Sequence, residues 1–239
     1  MQRQNVTYFV EEFECELKDT SGRCLNVGSG TGEITRKVLL PVLNRDAVMI
    51  GTDVSESMVE YANRIHGVDG VLEFETLDIQ TRNLPEKYVA EQGLENIYKM
   101  LRPGGTFLML WVSSHDMFKI LENMAENKRF ASYLYKYTAP FPHSEKPHMK
   151  LKELLRSIGF RIRHCSNREM SFVDKKPKAF LPTIISAFSF LREMPPDRAE
   201  NFKNEFVREY TKRKYTRDNE ELAVDLYKIL VVYAQKQVL

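Results

Sequence analysis

The sequence predicts an α/β fold in which a doubly wound, mostly parallel sheet is covered by helices on both faces. Three observations point there. Short apolar runs alternate with stretches of helical apolar spacing. The first run stops at Gly28, Ser29, Gly30, Thr31 and Gly32 and leads straight into a helical stretch. The next two runs end on acids, Asp53 and Asp78.

The elements follow in order. Residues 6–17 place Val6, Phe9, Val10, Phe13 and Leu17 at helical spacing, and a turn at residues 19–22 ends that helix. Residues 24–27 form a short strand, the glycine turn follows, and residues 33–40 read as the next helix. Residues 48–51 give a second strand ending at Asp53, and residues 55–63 a helix for which Ser55 is the expected cap. Residues 74–77 rise to Asp78 as a third strand. A helix over 91–100 should bury Leu94, Ile97 and Tyr98, with Leu101 beyond it. Pro103, Gly104 and Gly105 then turn the chain into the strongest strand, 106–112, which holds the sole tryptophan, Trp111, as a core residue.

Helical faces over 118–125 and 130–137 are broken by Pro140 and Pro142, and a helix over 151–157 is ended by Gly159. Residues 161–165 read as a strand and 170–173 as a strand or loop. The apolar run within 178–192 reads as a core helix or the lining of an apolar cavity. A charged helix over 197–214 carries Phe202, Phe206 and Tyr210 on one stripe, and residues 226–234 close the chain as a strand. No repeat or low-complexity linker interrupts this, so a single domain over 1–239 is expected, with residues 115–214 including helical cap or pocket elements.

A 43% hydrophobic, 28% charged chain with net charge +2 excludes disordered and collagen-like classes. The basic pieces at Lys175–Lys176 and Lys212–Lys214 are short and lack a reading helix, so no nucleic-acid partner is expected. Cys15, Cys24 and Cys165 have no paired spacing and no clustered histidines, which argues against a disulfide framework or a metal site. The polar first residues lack the pattern of a secretory signal, and no apolar run reaches spanning length, so a cytoplasmic location is expected.

Glycines at 28, 30 and 32 permit a tight strand-to-helix turn and close approach by a ligand, with amides at the helix start able to face an anionic group. An acid at the end of the following strand, Asp53, can accept hydrogen bonds from both ribose hydroxyls. The pattern reads as a site for a nucleoside-containing cofactor, with purely structural turns as the alternative. The alternative for Asp53 is a cap or turn residue, and for Asp78 a surface or turn acid.

The residues 28–32, 51–63, 77–79 and 96–105 resemble the class I S-adenosylmethionine-dependent methyltransferases. Within them the chain is most similar to the arthropod juvenile hormone acid O-methyltransferases, and the similarity continues through 115–137 and 227–236. The resemblance implies a Rossmann-like fold and S-adenosyl-L-methionine as cofactor. Gly28, Ser29 and Gly30 would then hold its amino-acid part, Asp53 the ribose, and Val54 would lie against adenine, with Asp78 and Ile79 at the amino edge of the base. Gln4 would match a glutamine that orients the substrate carboxylate, and His115 reads as a substrate-pocket or structural residue. His66 reads as a surface residue, His143 and His148 as loop residues.

The implied reaction transfers a sulfonium methyl group to the carboxylate of a small apolar acid, such as a sesquiterpenoid like juvenile hormone acid or farnesoic acid. That carboxylate is already ionised near pH 7, so alignment and exclusion of water can supply the catalysis. Phe118, Phe130, Tyr133 and residues 180–191 could form an apolar pocket, with general core as the alternative. A homodimer is left open.

Two departures qualify the resemblance. Asn26 stands where the family commonly has an acid, so a negative charge is lost near the sulfonium end. The stretch between Asp78 and Pro103 also leaves no room for the family's fourth strand and its Leu-His-Trp tail. A noncatalytic binding or regulatory protein on the same fold is therefore the second reading, with a methyltransferase for another small acceptor beside it. A nicotinamide dehydrogenase is weaker, because the usual tyrosine-lysine arrangement is absent.

Overall fold

The computed structural model describes residues 2–79, 89–134, 139, 141–142, 144–174, 181–186, 188–212, 215–217 and 220–238. The chain divides into two compact units, Met1–Arg82 and Asn83–Leu239. The Lys175–Lys176 pair, His143, Phe180, and Arg213 and Lys214 of the second basic piece lie outside the described residues.

The first unit opens with α1 (Gln2–Glu12) and α2 (Glu14–Lys18), a longer helical stretch than the apolar spacing indicates, interrupted at Phe13. Phe9, Val10 and Phe13 are buried, as the spacing requires. Strands β1 (Gly22–Val27), β2 (Ala47–Asp53) and β3 (Leu72–Thr76) form a parallel sheet in the order β1-β2-β3. Its register pairs Leu25 with Ile50 and Gly51 with Phe74. Helix α3 (Glu56–His66) links β2 to β3 and packs Val59 and Ala62 against Met49, Leu72 and Phe74.

The helix expected after the glycine turn differs in kind. It widens into a π-helical turn, Thr35–Leu39, followed by a 3-10 turn, Leu40–Val42. Pro41 explains the change, because it has no N–H to donate to Lys37 and its ring would crowd that carbonyl. The Leu40 N–H reaches back five residues to the Thr35 carbonyl instead.

The second unit is built on an antiparallel sheet in the order β4-β7-β5, from β4 (Thr106–His115), β5 (Phe160–Asp174) and β7 (Glu220–Lys236). The short β6 (Tyr215–Arg217) pairs with β7. The two pieces expected over 161–165 and 170–173 are one continuous strand, because β7 pairs with it from Phe160↔Lys236 to Asp174↔Ala223. Helices α4 (Val89–Met100) and α7 (Pro147–Ile158) supply Leu94, Leu151 and Leu155 to a core with Phe160, Leu230, Val232 and Ala234, against which Trp111 packs. Gly159 closes α7 at φ 111°, where a side chain would be strained and would also meet the Tyr98 hydroxyl.

Helices α5 (Asp116–Ala125), α6 (Ala131–Leu134), α8 (Leu181–Ser186) and α9 (Pro196–Lys212) complete the unit, with a 3-10 turn at Ser189–Arg192. Phe202, Phe206 and Tyr210 are fully buried along one stripe of α9. Phe202 meets Phe130 and Phe190 edge-on, with ring centroids 5.3 and 5.1 Å away. The run within 178–192 is thus a short helix and a 3-10 turn whose described aromatics, Phe188 and Phe190, are core residues.

Among the described residues no strand lies between β3 and β4, β1 pairs with β2 alone, and β4 pairs with β7 alone. The interval includes α4. Among the described residues no group of His, Cys, Asp or Glu is gathered to hold a metal ion, and no helix is long and apolar enough to cross a membrane.

Lys236, at the end of β7, ties that strand to the last turn of α4. Its Nζ donates to the carbonyls of Tyr98 and Leu101, both at 2.8 Å, and lies 4.7 Å from the Tyr98 ring centroid. These carbonyls have no partner within the helix, so a cation there satisfies them and the helix dipole together. Lys236→Met keeps the aliphatic stem and removes the donors, and should lower unfolding free energy in urea by about 2 kcal/mol.

Candidate functional site

The carboxyl ends of β1, β2 and β3 lie in one row because the strands are parallel, and the sequence-predicted ligand residues of the first unit fall there. Asn26 is the penultimate residue of β1, just before the glycine turn, Asp53 ends β2, and Asp78 and Ile79 follow β3. The Leu77 N–H donates to the Asp53 carbonyl at 3.0 Å, which holds the start of the Asp78–Ile79 segment beside β2. Val54 is 64% exposed, an apolar side chain left open at the head of this row.

Asp53 organises the row. One carboxylate oxygen accepts the Gly30 N–H at 2.9 Å, and the other accepts the Ser55 N–H at 2.9 Å. Its side chain thereby joins the glycine turn to the start of α3. Ser55 does occupy the cap position, but its side chain makes no cap bond. Its hydroxyl lies 3.1 Å from that of Ser57. Asp53 supplies the turn-forming carboxylate in its place, a local bond typical of this residue type. Each carboxylate oxygen has two acceptor sites, so capacity for diol hydroxyls remains after these bonds.

Three amides of the turn are taken up within the first unit. The N–H groups of Gly28 and Ser29 both donate to the Thr52 carbonyl, at 2.7 and 2.8 Å, and that of Gly30 to Asp53. Strand β2 therefore takes up these donors. Among the described residues no hydrogen bond reaches the carbonyls of Gly28 or Gly30. What the turn offers there is an acceptor pair, suited to an ammonium group rather than a phosphate. A Cβ built at Gly28 or Gly30 would meet nothing within 4 Å, so there is room for a ligand to approach both.

Asn26 donates through Nδ2 to the buried Thr35 hydroxyl at 2.8 Å, linking the end of β1 to the π-helical turn. A carboxylate would lack that donor, so the amide is used structurally where the family's acid would stand. The Ser29 hydroxyl oxygen is buried and has no hydrogen-bond partner among the described residues.

The residues expected at the acceptor are carried by other elements. Gln4 is in α1, and its side chain falls outside the described residues. His115 belongs to the second unit, where it caps α5 by accepting the Met117 N–H on Nδ1 at 3.0 Å. Accepting that bond leaves Nδ1 unprotonated, so the ring proton sits on Nε2. The ring stacks 6.2 Å from Tyr210 and lies 6.1 Å from Tyr227. Phe130, Phe188 and Phe190, considered as pocket residues, are at most 4% exposed and pack into the α9 aromatic core. Burial raises the Cys165 thiol above its ordinary value, keeping it protonated at neutral pH.

Asn63 and Phe74 were not singled out from the sequence. Gly51 offered a signal, since glycine inside a strand often marks close approach.

No family model matches the chain. It is 24% identical to the juvenile hormone acid O-methyltransferase of Drosophila melanogaster and 23% identical to that of Bombyx mori, over 99% of this chain and 89% and 94% of those proteins. Each alignment spans 263 positions against the chain's 239 residues, so at least 24 positions have no counterpart here. Among solved structures, magnesium protoporphyrin IX methyltransferase from Synechocystis, with bound SAH, superposes at a TM-score of 0.52 and 12% identity, covering 99% of this chain and 83% of that one. The [4+2]-cyclase SpnF superposes at 0.50 and 18% identity, covering 96% and 81%. The chain has the Rossmann-like class I methyltransferase fold, and the cyclase is a reminder that this fold does not dictate one reaction.

Proposed function

We propose that this chain of class I methyltransferase fold binds S-adenosyl-L-methionine at the carboxyl ends of β1, β2 and β3, and methylates the carboxylate of a small apolar acid. The observation that carries the reading is Asp53, fixed at the end of β2 with one oxygen on the glycine turn and the other on the start of α3. The names of the two insect relatives support the acid as acceptor.

The residues fit the cofactor. The Gly28 and Gly30 carbonyls have acceptor capacity for its ammonium and Asp53 for its ribose hydroxyls, exposed Val54 offers an apolar surface for adenine, and Asp78 and Ile79, just after β3, would hold the base edge. When bound, the cofactor supplies an electrophilic methyl group on a sulfonium. The chain's task is to orient it and exclude water, since an ionised carboxylate needs no base. Gln4, whose side-chain amide carries two donors, is proposed to hold that carboxylate.

Calorimetric titration of the folded protein with S-adenosylmethionine and S-adenosylhomocysteine tests the cofactor assignment, and product analysis with farnesoic acid tests the acceptor. Saturable binding and methyl ester are expected. Absence of binding by folded protein would refute the reading.

A second reading has its own observation, the lack of a described strand between β3 and β4. A noncatalytic protein that retains cofactor binding would give saturable titrations and no ester with any carboxylic acid.

A further inference from the structure

We propose that Phe74 is a positioning residue for the glycine turn, held in place by Asn63. The proposal rests on the cofactor reading above and extends it to residues that touch no ligand.

Phe74 sits in β3 directly opposite Gly51 of β2. A Cβ built at Gly51 would lie 2.4 Å from the Phe74 ring, and one built at Gly32, inside the turn, would lie 2.6 Å from it. Real side-chain atoms do not approach that closely, so the ring occupies the space that side chains at both glycines would need. Gly32 is thereby required twice, once for φ 80° and once for the ring. Ser29 borders the same spot, 3.2 Å from the Gly51 Cβ position. The ring is thus a ledge against which the turn rests, two residues before its strand ends.

Asn63 of α3 holds that ledge. Its Oδ1 accepts the Phe74 N–H at 2.9 Å, and its Nδ2 donates to the Phe74 carbonyl at 2.7 Å. A side-chain amide bonded to both main-chain groups of one residue fixes strand position as well as satisfying polar groups. Phe74 is 4% exposed, so the ring is also confined by the core. The turn is therefore held by the Thr52 carbonyl through the Gly28 and Ser29 amides, by Asp53 through the Gly30 N–H, and by Phe74 through Gly32. Loss of either side-chain grip leaves the Gly28 and Gly30 carbonyls poorly placed, and binding sites depend on sub-ångström support of this sort.

The test compares Phe74→Leu with Leu72→Ala. Leu72 lies on the same strand and in the same core cluster, but farther from the turn. Amide hydrogen exchange over residues 28–33 of each full-length variant reads the turn with no ligand present. Phe74→Leu should speed exchange there by about tenfold, while Leu72→Ala, a loss of core packing, leaves it close to wild type. The Kd for S-adenosylhomocysteine should rise by about tenfold in Phe74→Leu and stay within about twofold in Leu72→Ala. If Phe74→Leu does not fold, Gly51→Ala, whose methyl group displaces the ring, should give the same two shifts. Equal exchange in both core variants, or unchanged exchange with the ring shortened or displaced, overturns the proposal. Failure of wild-type protein to bind S-adenosylhomocysteine overturns the cofactor reading instead, and the exchange comparison still decides the role of Phe74.

Discussion

Asp53→Ala should remove measurable binding of S-adenosylmethionine and S-adenosylhomocysteine while leaving the protein folded. The substitution deletes the acceptors for the Gly30 and Ser55 amides, two charge-assisted bonds of 2.9 Å. Such bonds contribute about 1.5–3 kcal/mol each. It also deletes the proposed ribose acceptor, so site organisation and ligand contact fail together. A Kd increase of at least about 100-fold is the expected result, read by calorimetry with circular dichroism as the folding control. Asp53→Asn should fall between, because an amide keeps one acceptor but turns a donor toward an amide that also donates. Retention of wild-type affinity by Asp53→Ala would remove the ribose assignment.

Phe202→Ala should produce the largest loss of stability. Phe202 is fully buried in α9, with Phe130, Phe188 and Phe190 edge-on to it and Phe206 stacked at 6.2 Å. Removing the ring leaves a cavity among residues from three separate segments, which cannot all collapse into it. The expected cost is about 4 kcal/mol, from lost transfer energy plus the unfilled space. Urea unfolding followed by near-ultraviolet circular dichroism reads it, and a loss under about 1 kcal/mol would mean that the aromatic core is not packed as described. Phe202→Leu, which refills much of the volume, should recover more than half of the loss.

The site of the first unit was legible because its signals are local. The glycine spacing, the apolar run before it and the acids ending the next two runs each occupy a few consecutive residues. Parallel strands then place those ends in one row. The short interval between Asp78 and Pro103 could be read directly, and among its described residues only α4 is found. The helical stripe Phe202, Phe206 and Tyr210 required only a period of 3.6 to be recognised. Less legible was the use to which each residue is put. Ser55 has the residue type of a cap, yet the cap-side bond comes from Asp53. The turn's amides read as open donors, yet those of Gly28 and Ser29 face the Thr52 carbonyl and that of Gly30 faces Asp53.

The sequence by itself determined the α/β alternation, the position of the glycine turn, the end of β2 at Asp53, and the helices with strong apolar stripes. These depend on periodicity and turn chemistry over a dozen residues or fewer. Only the tertiary structure decided that β5 runs unbroken, that Phe188 and Phe190 belong to a core, and that Phe74 supports the turn. The physical reason is the same in each case. Strand β5 is continuous because β7, some 60 residues away in sequence, satisfies its backbone groups from Phe160 to Asp174. The place of Phe74 is set by Asn63, Gly51 and Gly32, residues 11, 23 and 42 positions away, through a hydrogen-bonded clamp and a steric fit that exist only once the three strands have paired.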